Sequence, residues 1–134
     1  MTRCDIKAQR HIHQTIHCRP VTRADADLVA VSLSSVRKSA AKRIIYLPHA
    51  VRQTSRPDRM ISVAEVRNAV ERGELVEDYP EDVRGHSCLI LAYGTGGTPI
   101  HVVCSPKGDY LAIITTYIPN LEEWEYDYKR RKKR

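Results

Sequence analysis

The chain contains no phenylalanine, and a single tryptophan, Trp124, joins seven tyrosines as its aromatic content. A core must therefore be assembled mainly from Val, Ile and Leu, which concentrate after position 60. This predicts a small core built largely by the second half. No apolar run approaches the ~20 residues of a membrane-spanning helix, and no apolar segment follows the N-terminal basic residues. A soluble protein without a cleavable signal is expected. The four cysteines, Cys4, Cys18, Cys88 and Cys104, show no paired spacing. Cys88 and Cys104 sit inside apolar strand patterns and read as small core residues, which fits a reduced, cytoplasmic compartment. Also missing are a glycine-rich phosphate loop, a nucleophile elbow and a paired-carboxylate constellation, so hydrolase and nucleotide-binding classes gain no support.

What is present is charge, unevenly placed. The net charge is +6 over 134 residues, a length that suits one domain. The last six residues, Lys129 to Arg134, are all basic, and without them 16 basic residues face 16 acidic ones. One reading of this terminus is a solvated, frayed tail that aids solubility. The other is non-specific attraction to phosphate backbones through Lys129, Arg130, Arg131 and Lys132, or to an acidic partner.

Residues 1–23 are polar and read as a disordered extension. His11, His13, His17 and Cys18 cluster there with Cys4 upstream, but no second ligand pair at fixed spacing supports zinc, and no metal or other cofactor is expected. Residues 24–128 read as one domain and 129–134 as a basic tail. Ala24 to Arg43 has a helical pattern, with Lys38, Lys42 and Arg43 at the end favoured by the helix dipole. Ile44 to Leu47 is a strand stopped by Pro48. Ser62 and Glu65 form a capping box, Val63, Val66 and Val70 mark one helix face, and Gly73 supplies the stop. Leu75 to Tyr79 is extended. Three strands follow, Cys88 to Tyr93, Ile100 to Ser105 and Tyr110 to Tyr117, separated by the turns GTGG and PKGD. Asn120 with Glu123 signals a short C-terminal helix holding Trp124. The fold class is α+β: a small antiparallel sheet, a three-stranded meander plus an N-terminal strand, with helices on one face.

Six blocks in this order resemble a known family. They are Pro48-His49-Ala50, Arg59 before Ile61-Ser62, Gly73 through Pro80, Ser87 through Leu91, Pro99 through Val103, and Ile113 through Tyr117. Together they are similar to the domain-of-unknown-function family four-two-five-eight, over roughly residues 40 to 134. The family's second arginine, about one turn after the His-Ala step, is replaced here by Arg52 or Arg56 in a longer VRQTSRPDR segment containing Pro57. In its helix-then-sheet order the family is similar to the RelE-like and MqsR-like ribonuclease toxins. The resemblance therefore implies a RelE-like fold, an mRNA substrate met at the ribosome, and an antitoxin-like protein partner.

Metal-free RNA cleavage needs a base for the 2′-hydroxyl, an acid for the leaving 5′-oxygen and a cation for the phosphorane. Histidine suits the first two and arginine the third. His49, His101, Arg59 and Tyr117 are the candidates for the catalytic set, with Arg52 and Arg56 as further RNA contacts. For each there is a plain structural role: His101 as a satisfied strand histidine, Tyr117 as a strand aromatic, His49 as a helix-orienting side chain, Arg59 as a partner of Glu65 or Asp58. Glu77 and Asp78 read as exposed turn carboxylates. Two functions follow: a metal-independent ribonuclease toxin of a toxin–antitoxin pair, or a non-catalytic domain that binds a partner through an open sheet face or an edge strand. They differ in whether the four candidates meet in one exposed cleft.

Overall fold

Ser62 starts the best-defined helix by local chemistry alone. Its hydroxyl accepts from the Glu65 backbone N–H at 3.1 Å, and the Glu65 carboxylate accepts from the Ser62 N–H at 2.8 Å. Two orphan donors of the first turn are thereby satisfied. This helix, α3 (Val63–Arg72), follows α1 (Ala26–Lys42) and α2 (Pro48–Ser55). The computed structural model describes residues 19–20, 26–55 and 61–133. The histidine-rich N-terminal cluster, Arg56 and Arg59 lie outside the described residues.

The strands are β1 (Arg19–Pro20), β2 (Ile44–Tyr46), β3 (Glu74–Tyr79), β4 (Ser87–Tyr93), β5 (Pro99–Pro106) and β6 (Leu111–Tyr117). They form an open mixed sheet of five strands, β3-β4-β5-β6-β2, extended at the β3 edge by the two-residue pairing of β1. The fold is α+β, as expected, but the sheet is not purely antiparallel. β2 runs parallel to β6, with Ile44 opposite Leu111. Helices, not a hairpin, connect β2 onward, so nothing forces it antiparallel to its neighbour. The meander has four strands, because β3 joins it.

Period-two alternation gives the sheet two apolar faces. On one, Ile90, Ile100, Val102, Leu111 and Ile113 pack with Val36, Val66 and Val70 from α1 and α3. Gly73 lets α3 come this close: a Cβ there would stand 2.3 Å from Ile90 Cγ2 and 2.4 Å from the Ala69 carbonyl oxygen. Cys88 and Cys104 face each other across β4 and β5 within this layer, both buried with free thiols.

The second face carries Val76, Tyr79, Leu89, Leu91, Val103 and Ile114. An open face is expected from the sequence, but this one is covered. The chain after β6 returns across it and buries Trp124 there, with Tyr128 half-buried alongside. The expected C-terminal helix is a single turn: Asn120 Oδ1 accepts from the N–H groups of Glu122 and Glu123, each at 3.0 Å, and the Trp124 N–H donates to the Asn120 carbonyl at 3.1 Å. Tyr128 then adopts a positive φ of 57°, which reverses the chain instead of extending a helix. The returning arm pairs Trp124 with Arg131, and the Lys132 N–H donates to the Glu123 carbonyl at 2.9 Å. Residues 118–133 thus form a strap over the sheet. No described helix is long and apolar enough to cross a membrane.

Candidate functional site

Antiparallel register places His101 directly opposite Tyr117, and both side chains point toward the strap. His101 Nδ1 and the Tyr117 hydroxyl lie 2.9 Å apart, with the rings edge-to-face at 5.2 Å between centroids. His101 Nε2 is 2.8 Å from the Tyr128 carbonyl oxygen. A carbonyl only accepts, so Nε2 carries the proton and donates to it. Nδ1 is then the acceptor for the Tyr117 hydroxyl. Both ring nitrogens are engaged, and the imidazole also packs edge-on against Trp124 at 4.5 Å. His101 is fully buried. Burial pushes its pKa down to about 4, against the opposing pull of the Tyr128 carbonyl and the Glu77 charge. At neutral pH the ring is neutral, in one tautomer.

A second set of groups closes the network. Glu77 is not an exposed turn carboxylate but a buried strand residue. The β-bulge between Leu75 and Glu77 turns both Val76 and Glu77 to the strap face. Its carboxylate accepts two bonds from one guanidinium, from Arg131 Nε at 2.9 Å and Nη2 at 3.1 Å. The Tyr79 hydroxyl donates to the same carboxylate at 2.7 Å. The Arg131 guanidinium also stands 4.5 Å from the centre of the Trp124 ring. Asp78, likewise expected to be exposed, is buried on the opposite face and pairs with His86.

His101 and Tyr117 therefore meet, but inside the protein and not in an exposed cleft. His49 sits in the first turn of α2, half-buried, with its Nε2 3.4 Å from Gln53 Nε2. Arg52 is exposed in the last turn of α2. The basic terminus is not a solvated tail over its described length. Lys129 Nζ pairs with Glu74 at 2.6 Å, Arg130 with Asp127 at 3.1 Å, and Arg131 with Glu77. The Lys132 side chain is exposed, while its backbone is tied to Glu123.

Sequence reasoning does not single out Glu77, Tyr79, Trp124, Tyr128 and Arg131 as members of this constellation. One signal is readable: Glu77 and Tyr79 stand two apart in a strand, and so on one face, with an acid where an apolar residue is usual. The arginine that answers this acid lies 54 residues away.

No curated protein and no solved structure matches the chain. A family model does: residues 46–118 match the one described as Domain of unknown function (DUF4258), a span running from the end of β2 to just past β6. That span is more than half of the chain, and it holds Glu77, Tyr79, His101 and Tyr117 but not Trp124, Tyr128 or Arg131; the chain belongs to the DUF4258 family.

Proposed function

We propose that this is a non-catalytic binding domain in which the most nuclease-like histidine serves the fold. The observation that carries the reading is His101 itself: fully buried, neutral, and bonded at both ring nitrogens. A general base needs a free lone pair within reach of a substrate hydroxyl, and a general acid needs a proton it can release to a leaving group. The Nδ1 lone pair is committed to Tyr117 and the Nε2 proton to Tyr128. Arg131, whose charge acts on the ring, already has its fork on Glu77. With both sheet faces covered, binding falls to the helices and the sheet edges.

A second reading is favoured by the 2.9 Å contact of His101 with Tyr117. In it the chain is a metal-independent ribonuclease toxin, similar to the RelE and MqsR toxins, whose strap swings away. His101 and Tyr117 would then handle protons, Arg59 would hold the phosphate, and His49 would join them from α2.

Expression in bacteria without a partner separates the two. The binding reading expects normal growth from wild-type protein. Growth arrest that His101→Gln relieves, at an unchanged level of folded protein, would assign the nuclease reading instead.

A further inference from the structure

Two segments of this chain each hold six basic residues beyond their acids. One is the C-terminal run 129–134, and the other is residues 28–57, which contain Arg37, Lys38, Lys42, Arg43, Arg52 and Arg56 and no Asp or Glu. Removing either leaves 16 basic against 16 acidic residues. Composition cannot say which segment offers its charge to a partner, but ion pairing can. Lys129, Arg130 and Arg131 are each spent on a carboxylate of the same chain. Among the described residues, Lys38, Lys42 and Arg43 have no carboxylate within ion-pair distance.

Lys38 and Lys42 lie on one side of α1, and Arg43 follows its last residue. Val36, Ser39 and Ala40 face inward and are buried, while Ser34, Arg37, Lys38, Ala41, Lys42 and Arg43 are exposed. Arg37 Nη2 donates to the Gly73 carbonyl at 3.0 Å, bringing the end of α3 and exposed Arg72 to the border of the patch. A shallow groove lined by Leu33, Ser34, Arg37, Lys38 and Ala41 runs beside it. Among the described residues the acids nearby are few. Glu71 is paired with Arg67 at 3.6 Å, and exposed Asp109 follows Gly108, whose N–H donates to Ser39 Oγ at 3.2 Å.

We propose that the exposed face of α1 binds the phosphate backbone of single-stranded nucleic acid. The proposal rests on reading the domain as a binding module and names its partner. Lys38 and Lys42 are one helical turn apart, about 6 Å between Cβ atoms, so neighbouring cations can each meet a phosphate of one strand. Large exposed apolar side chains do not occur between residues 33 and 43. A protein partner would need an aromatic or aliphatic anchor at the centre of its interface, and among the described side chains this face offers only half-buried Leu33. A phosphate backbone needs only matched charge. With no aromatic on the patch to stack on bases, the binding is independent of sequence and strongly salt-dependent. Residues 26–42 lie outside the family match, so this surface belongs to this chain's own N-terminal part.

The test is fluorescence anisotropy of the full chain with a labelled mixed-sequence RNA strand, titrated at several salt concentrations. Wild-type protein is expected to bind with affinity falling steeply as salt rises. Lys38→Gln/Lys42→Gln/Arg43→Gln should make the log–log salt slope shallower by about 2, at about 0.7 for each phosphate no longer neutralised on a single strand. Lys132→Gln/Lys133→Gln should change it by half as much or less. Circular dichroism and melting of each variant must match wild type; a triple variant that fails to fold is replaced by Lys38→Gln/Lys42→Gln, with an expected change of about 1.4. No RNA binding by wild-type protein overturns the proposal, as does an unchanged slope in the α1 variant. Binding of polyglutamate or phosphatidylserine vesicles with equal strength at equal salt overturns the assignment to nucleic acid. RNA that is bound through α1 and also cut would leave this surface standing and sink the non-catalytic reading.

Discussion

His101 Nε2 donates to the Tyr128 carbonyl at 2.8 Å, joining the middle of β5 to the point where the chain reverses at a positive φ. One bond thus ties a core histidine to the strap. The Tyr117 hydroxyl on the other ring nitrogen makes that histidine a bridge between β6 and the C-terminal arm.

Burial of this histidine should make the fold sensitive to acid. The folded pKa of His101 is about 4 against an ordinary 6.5, so between those values the unfolded chain binds more protons. Its contribution is complete above about pH 6.5, falls as the pH drops toward 4, and levels off below. The full loss is on the order of 3 kcal/mol. Asp82, held below the usual carboxylate range by bonds from Arg84 and Ser87 that outweigh its burial, extends the loss at lower pH. Urea unfolding at about pH 7 and about pH 5 should show lower stability in the more acidic buffer, and His101→Gln should reduce that difference. Equal pH dependence in both proteins would remove His101 as its source.

The Glu77–Arg131 pair should hold the strap from its far end. Arg131→Ala removes the guanidinium that grips a buried carboxylate, to which the neutral Tyr79 hydroxyl still donates. About a third of the Arg131 side chain is exposed, so the cost falls below that of a fully buried pair, about 2 kcal/mol. Glu77→Gln/Arg131→Ala should recover part of it. Thermal melting of the single and double variants measures this, and a strap that is merely draped on the sheet would show no coupling between the two sites.

Gly73→Ala should destabilise the fold although alanine is the better helix former. Its Cβ would meet the Ala69 carbonyl oxygen at 2.4 Å and Ile90 at 2.3 Å, forcing α3 away from β4. The expected cost is about 1–3 kcal/mol, the usual range for overpacking. An unchanged or raised melting temperature would show that α3 can shift without penalty.

Glu65 does two jobs that one substitution can separate. Besides capping α3 it accepts from the Thr95 N–H at 2.9 Å, which ties the helix start to the β4–β5 turn. Glu65→Ala should cost about 1 kcal/mol and speed hydrogen exchange at Thr95. Exchange at Thr95 that stays at the wild-type rate would remove the second role.

Local chemistry is legible in the sequence and long-range pairing is not. The Ser62–Glu65 cap, the helix end at Gly73 and the short turns between β4, β5 and β6 depend on residues within a few positions of one another. The strap depends on His101 finding Tyr128, 27 residues on, and on Glu77 finding Arg131, 54 residues on. Lys129 to Arg131 read as a tail because the acids that bind Lys129 and Arg131 sit in a distant strand. Asn120 opens a helical turn where the sequence places one, but the reversal at Tyr128 keeps it from growing into a helix. His101 opposite Tyr117 follows from hairpin register; their burial follows from the strap.

The most direct test of the central claim is incubation of the purified protein with RNA at neutral pH in a chelator-containing buffer, read on a denaturing gel. A domain whose His101 is sealed between Tyr117 and Tyr128 leaves the RNA at full length, and His101→Gln makes no difference. Fragments that accumulate with wild-type protein and vanish with folded His101→Gln would contradict the account and make His101 a catalytic residue behind a strap that opens.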